Sequence, residues 1–301
     1  MDSFCKIAVR FIPVCAALPL AACANYPAVA TLSSAMQKSV SSWRPYTDDF
    51  ATSCRRSLAY DPRIGTPTDP CLPQVAVQSQ LNDVITILDN YFGALTAVAD
   101  AANFSLDPGL DELGGAARGA GLDAGKADAI NALSKVLAKI ATSGIQRRSL
   151  DALVSRAHDA SEAIDAVEHV ISTDYALELH NESQFWSTNA IILAARSSLI
   201  VPPPCLAPRL NWATSPGAST TGLLLFQRYY VDGCNAILGR QAALGAFHDS
   251  AEQVKEGLEK LAETRTKLKS HEAIAALFDQ TKDLFVKAQA VRAAFQTNTT
   301  K

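Results

Sequence analysis

The chain reads as an all-α protein, an elongated antiparallel helical bundle with two helices of about 50 residues. Three observations predict this. Apolar residues recur in alternating steps of three and four over most of the length, the spacing that lines one face of a helix. No stretch of useful length alternates apolar and polar with period two, as a half-buried strand would. Glycine and proline gather in a few places and leave long uninterrupted runs between them. With 301 residues and 48% hydrophobic content, the chain is long enough for one large or two small domains.

The first element is a leader. Lys6 and Arg10 precede an apolar run from Phe11 to Leu20, interrupted by Pro13 and Pro19, and Ala21-Ala22 follow. A basic start, a short apolar core and small residues before a cut make a signal peptide. The apolar run is shorter than the roughly 20 residues that span a bilayer. Leu20-Ala21-Ala22-Cys23 resembles the lipobox of a bacterial lipoprotein. That resemblance implies cleavage after residue 22, lipidation of Cys23 and, with Ala24-Asn25 rather than aspartate next, retention at the outer membrane. Ala22-Cys23-Ala24 also fits an ordinary secretory cleavage, which would release a soluble chain, and an uncleaved membrane anchor is a third reading; the lipobox is the best fit. Acyl chains contribute roughly 0.8 kcal/mol per buried CH₂, so several on one cysteine hold a protein on a membrane without a spanning helix.

Three parts follow: a signal peptide over 1–22, a tether with a Pro-rich disulfide loop over 23–73, and the bundle over 74–301. The tether contains a short helix near 28–42, then Trp43-Arg44-Pro45 and a loop crowded by Pro62, Pro67, Pro70 and Pro73. Of the seven cysteines, Cys5 and Cys15 leave with the leader and Cys23 takes lipid. Cys54, Cys71, Cys205 and Cys234 remain, an even number that in an oxidising compartment predicts two disulfides. Three pairings exist, and sequence proximity favours Cys54–Cys71 and Cys205–Cys234. None of the four lies at the close paired spacing that a zinc site needs.

The first bundle helix follows Pro73, with a seam of Val77, Leu81, Val84, Leu88, Tyr91, Leu95, Val98 and Ala102. It ends near residue 103, before a Gly-rich connection over 109–121. That connection has no preceding strand and no Gly-Lys-Ser/Thr, so it is no phosphate cradle. Asp123 caps the next helix, whose seam is Ile130, Leu133, Leu137 and Ile140, and Gly144 stops it. The first long helix covers about 146–198 on Leu150, Leu153, Ala157, Ala160, Ile164, Val167 and Ile171, with a kink expected where the pattern weakens at Ser172-Thr173-Asp174-Tyr175. Val201-Pro202-Pro203-Pro204 ends it. The return helix, about 218–269, runs through Leu223, Phe226, Tyr230, Gly233, Ile237, Arg240, Leu244, Phe247, Ala251, Val254, Leu258 and Leu261. Gly233 suggests close backbone contact and Arg240 a snorkelling stem. Ser270 caps the last helix, with Ile274, Leu277, Thr281, Leu284, Ala288, Val291 and Phe295 inward. At 1.5 Å per residue, helices of about 50 residues reach roughly 75 Å, which makes the bundle a rod.

Charge and motifs exclude several functions. Of 27 basic and 30 acidic residues, the leader removes two and one, leaving 25 and 29. That slight negative balance gives no reason to bind nucleic acid or an anionic surface. His158, His169 and His180 repeat every eleven residues, but on the helix face opposite the apolar seam, so no metal is expected there. No histidine follows an acid at the three-residue spacing of di-iron bundles. There is no HExxH, no CxxCH and no GxSxG. No catalytic residue, metal or cofactor is therefore expected.

The turn between the long helices is the apolar exception. Trp186, Ile191, Ile192, Leu193, Leu199, Trp212, Leu224 and Phe226 gather around it, either as a thickened core or as a tip that touches a membrane or partner. The expected function is a non-enzymatic cell-envelope lipoprotein. Its helical scaffold would present a surface to a periplasmic or surface protein partner. Alternatives are a membrane-active protein inserting the tip over about 190–226, or a binder of a small apolar ligand.

Overall fold

The computed structural model describes residues 26–59, 69–100, 124–143, 147–196, 220–267 and 271–296. All of its regular structure is helical. In chain order the elements are α1 (Tyr26–Ser41), α2 (Arg44–Ala59), α3 (Leu72–Ala99), α4 (Ala124–Ser143), α5 (Arg147–Val154) and α6 (Ala157–Val170). A π-turn (Ile171–Tyr175) joins α6 to α7 (Ala176–Arg196), and α8 (Thr220–Lys267) and α9 (His271–Gln296) complete the chain. No helix among the described residues is long and apolar enough to cross a membrane.

The seams read from sequence face inward. Leu81, Val84, Leu88, Tyr91, Leu95 and Val98 of α3 are buried, as are Ile130, Leu133, Leu137 and Ile140 of α4, and Leu150 through Ile171 at every seam position. In α8 the buried series is Tyr230, Ile237, Phe247, Ala251, Val254, Leu258 and Leu261; in α9 it is Leu277, Leu284, Ala288 and Val291. The α3 helix buries more than its seam. Ile85, Ile87, Phe92 and Ala94 are also inside, because α1, α2, α4, α5 and α6 all pack around it.

The expected tether is instead part of the core. Ala28, Val29, Leu32, Met36, Val40, Trp43, Tyr46 and Phe50 belong to one apolar cluster with α3, α6, α8 and α9, so no boundary at residue 73 separates a tether from a bundle. The short helix near 28–42 is present as α1. The second helix, α2, was not expected: Pro45 occupies its first turn, where a missing N–H costs nothing. Its inward face is built from Tyr46, Phe50 and the small polar residues Thr47, Ser53 and Ser57, so its apolar signal is faint. Polar groups from these helices are satisfied inside the core. The Trp43 indole donates to Ser250 Oγ at 3.0 Å, and the Tyr46 hydroxyl donates to the Ala243 carbonyl at 2.7 Å. Burial alone raises the Tyr46 phenol above the usual tyrosine range, so it stays protonated as a donor.

The two long helices differ in continuity. The return helix α8 is 48 residues without a break, about 72 Å at 1.5 Å per residue. The 146–198 segment is not one helix of about 50 residues: it is interrupted at Ser155–Arg156 and again at the π-turn. At the first break the Ser155 hydroxyl donates to the Ala152 carbonyl at 2.7 Å, a local bond that competes with the helical ladder. At the second, Thr173 Oγ1 donates to the His169 carbonyl at 2.6 Å. The weak stretch Ser172–Tyr175 is thus the site of a π-turn, the form in which an extra residue is fitted into a helix.

A disulfide joins Cys54 of α2 to Cys71 before α3, with Cα atoms 5.9 Å apart, as the neighbouring-pair reading expects. Arg55 and Asp69 pair at 3.0 Å beside it. The Asp69 carboxyl accepts from the Cys71 N–H, which together with Arg55 holds it below the usual carboxylate range. For the other pair, Cys205 lies outside the described residues; Cys234 is fully buried and disulfide-bonded.

Candidate functional site

The most concentrated chemistry in the described residues is a buried ion-pair cluster where α2, the π-turn, α7 and α8 meet. It consists of Asp49, Ser53 and Arg56 of α2, Tyr175 of the π-turn, Glu182 of α7 and Arg240 of α8. The Glu182 side chain is 1% exposed, Arg240 11% and Asp49 13%. Glu182 and Arg240 occupy positions on their helices where an apolar residue would be expected. After the π-turn the buried positions of the chain step through Tyr175, Leu179, Glu182, Trp186 and Ala190, and in α8 Arg240 falls three residues after Ile237. Each charged residue therefore points at the other helix, and only a partner makes that tolerable.

The partners are in place. Arg56 donates to both oxygens of Asp49, at 2.8 and 2.7 Å, and to both of Glu182, at 2.8 and 3.1 Å. Arg240 Nη2 donates to Glu182 Oε1 at 2.5 Å, with its Nε 3.6 Å from Asp49 Oδ2. Ser53 Oγ donates to Glu182 Oε2 and the Tyr175 hydroxyl to Asp49 Oδ2, each at 2.8 Å. Burial works against the Arg56 charge, but the hydrogen bonds it donates to Asp49 and Glu182 outweigh it and leave its pKa above the usual arginine range. Burial first, then the Asp49 charge, lifts the Tyr175 phenol well above the usual tyrosine range, so it donates rather than ionises.

Two acids and two guanidiniums balance, and all four carboxylate oxygens accept from a donor. The arrangement can fix the angle of three helices against one another. The expected snorkelling of Arg240 is therefore corrected: its stem does not carry the charge out to water, because Glu182 and Asp49 hold it inside. The cluster was missed in the sequence because α2 read as tether and the α6–α7 seam faded at the π-turn. Arg240 interrupting an otherwise apolar seam was the one available signal.

No family model, curated protein or solved structure matches the chain. The residues flagged in the sequence divide as follows. His158, His169 and His180 are all exposed, on the outer face as the spacing implied. At the distal end, Trp186 is 3% exposed and forms a second small core with Ala190, Tyr230, Cys234 and Ile237, against which Phe226 packs. This is the thickened-core reading for Trp186 and Phe226. Ile191, Leu193 and Leu224 are exposed and Ile192 is half-buried. Leu225 and Tyr229 join them on the outside at 65% and 46%. Leu199, Trp212 and Cys23 lie outside the described residues.

Gly233 holds this second core together, as the close-contact reading of the sequence suggested. A Cβ at residue 233 would overlap the Trp186 indole. Gly233→Ala is expected to destabilise the distal core by about 1–3 kcal/mol, the usual range for overpacking. Near-ultraviolet circular dichroism and Trp fluorescence would show the loosened indole, while far-ultraviolet helicity stays close to wild type.

Proposed function

We propose that the chain is a lipid-anchored, non-enzymatic scaffold of a bacterial cell envelope, held at the outer membrane through Cys23 and presenting its helical bundle, as an elongated rod, to a periplasmic or surface protein. The observation that carries this reading is the Cys54–Cys71 disulfide, which suits an oxidising compartment, taken with the lipobox-like Leu20-Ala21-Ala22-Cys23. The ion-pair cluster supports the non-enzymatic part: the oxygens of its two acids accept from donors on other helices and so hold those helices together. The helical core that begins within a few residues of Cys23 leaves a short lead between lipid and bundle, so the folded body sits close to the membrane that anchors it.

Cys23→Ser tests the proposal. Wild-type protein is expected in the membrane pellet, labelled by a clickable palmitate analogue and extracted only by detergent. The variant is expected unlabelled and in the soluble fraction. Equal distribution of both proteins would contradict the anchor.

A second reading has one observation in its favour. Ile191, Leu193, Leu224, Leu225 and Tyr229 put exposed apolar side chains at the same end of α7 and α8, the composition of a surface that enters a second bilayer. Dye release from liposomes separates the two: a scaffold releases none, and an inserting tip releases dye in a manner lost in Leu224→Glu/Leu225→Glu.

A further inference from the structure

A second charged cluster lies on the outside of the bundle, between α6 and α8, and it is unlike the first in having an excess of acid. His248 and Glu252 are one helical turn apart on α8 and so project from the same face. Glu168, near the end of α6, reaches across to them with only 13% of its side chain exposed. One donor atom from each of Glu168, His248 and Glu252 lies within 4.8 Å of the other two, and His248 Nδ1 is in direct contact with Glu168 Oε1. Asp165, one turn before Glu168, faces the same space. Lys255 enters it from α8, its Nζ 2.8 Å from Asp165, 3.0 Å from Glu168 and 2.5 Å from Glu252.

We propose that Glu168, His248 and Glu252, with Asp165 as a further donor, form a divalent-metal site of the zinc class that staples α6 to α8. Three carboxylates surround a single ammonium, so the cluster holds more acid than its one lysine balances, which favours a cation. Ligands about 2.0–2.2 Å from one ion stand up to about 4.4 Å apart, so small rotamer shifts bring the three donors into range. One imidazole with carboxylates suits zinc and its neighbours rather than calcium or magnesium, which favour all-oxygen sites. Lys255 is the built-in competitor: its ammonium occupies the centre of the acids, and its four-carbon stem is flexible enough to swing out when a metal arrives. The sequence reading looked for ligands repeated along one helix and so passed over a set assembled from two.

Titration of the disulfide-intact protein with zinc chloride tests this calorimetrically. One equivalent per chain is expected, with the thermal midpoint rising by about 5 °C at a hundredfold excess over Kd. His248→Ala, at a half-exposed position that leaves the core untouched, should weaken this binding at least tenfold. Glu168→Gln should do the same, whereas Lys255→Met should tighten binding by removing the tethered cation. Zinc bound equally well by His248→Ala would overturn the assignment, since the exposed histidines elsewhere would then be responsible. No saturable binding to the wild-type protein, or weaker binding by Lys255→Met, would also overturn it.

Discussion

Glu182→Leu is expected to lose about 3–5 kcal/mol of folding stability, the cost of stripping one partner from a buried charge pair. The size follows from what is left behind. Glu182 accepts from Arg56, Arg240 and Ser53, so its removal leaves two guanidiniums sharing Asp49 in a site nearly closed to water. Replacing Asp49, Arg56, Glu182 and Arg240 together by apolar residues should cost less than Glu182→Leu alone, because no charge is then stranded. Urea unfolding followed by far-ultraviolet circular dichroism gives both values. If the single variant lost under 1 kcal/mol, the cluster would have to be open to solvent, contrary to the burial of Glu182 and Arg240.

Phe247→Ala is expected to cost a similar amount, about 3–5 kcal/mol, by a different route. Phe247 is fully buried on α8 and meets Trp43 edge-on with ring centroids 5.4 Å apart, and Tyr46 at 5.3 Å. Truncation removes the transfer free energy of the ring and leaves a cavity that the surrounding helices close only in part; the two aromatic pairs add about 0.5–1.5 kcal/mol each beyond buried area. The tyrosine and tryptophan report the change directly, since Trp43 also donates to Ser250 from the same helix face. Phe247→Leu keeps most of the volume and should lose less than half as much. The pair of variants measures how firmly α1 and α2 are fastened to the bundle, because Trp43 and Tyr46 are the ring partners that the N-terminal helices contribute.

That fastening is where sequence and structure part. The alternating seams of α3, α4, α6, α8 and α9 were legible because each is a long apolar row with one dominant face. The helix α2 was not, because its inward face is Thr47, Ser53 and Ser57 around only two large rings, and four prolines just downstream drew it towards a loop. The break at Ser155 left no trace either: the seam keeps its phase across it, from Leu153 to Ala157, and no glycine or proline marks the spot. The π-turn did leave a trace, as a loss of pattern from Ser172 to Tyr175. Of the ion-pair cluster only Arg240 was visible, and a lone arginine in a seam fits a surface stem as well as a buried pair. Its partners come from α2 and α7, 191 and 58 residues away in sequence for Asp49 and Glu182, and spacing within one helix carries no information about them.

The claim on which the rest depends is that the mature chain begins at a lipidated Cys23 and folds with its cysteines oxidised outside the cytoplasm. Intact-mass spectrometry of protein extracted from membranes, without reduction, tests it in one spectrum. The account predicts a chain starting at residue 23 that carries diacylglycerol and an acyl chain, and that gains no mass on thiol alkylation because Cys54, Cys71, Cys205 and Cys234 are all paired. A full 301-residue chain recovered from the cytosol, with alkylatable thiols at residues 54 and 71, would contradict it.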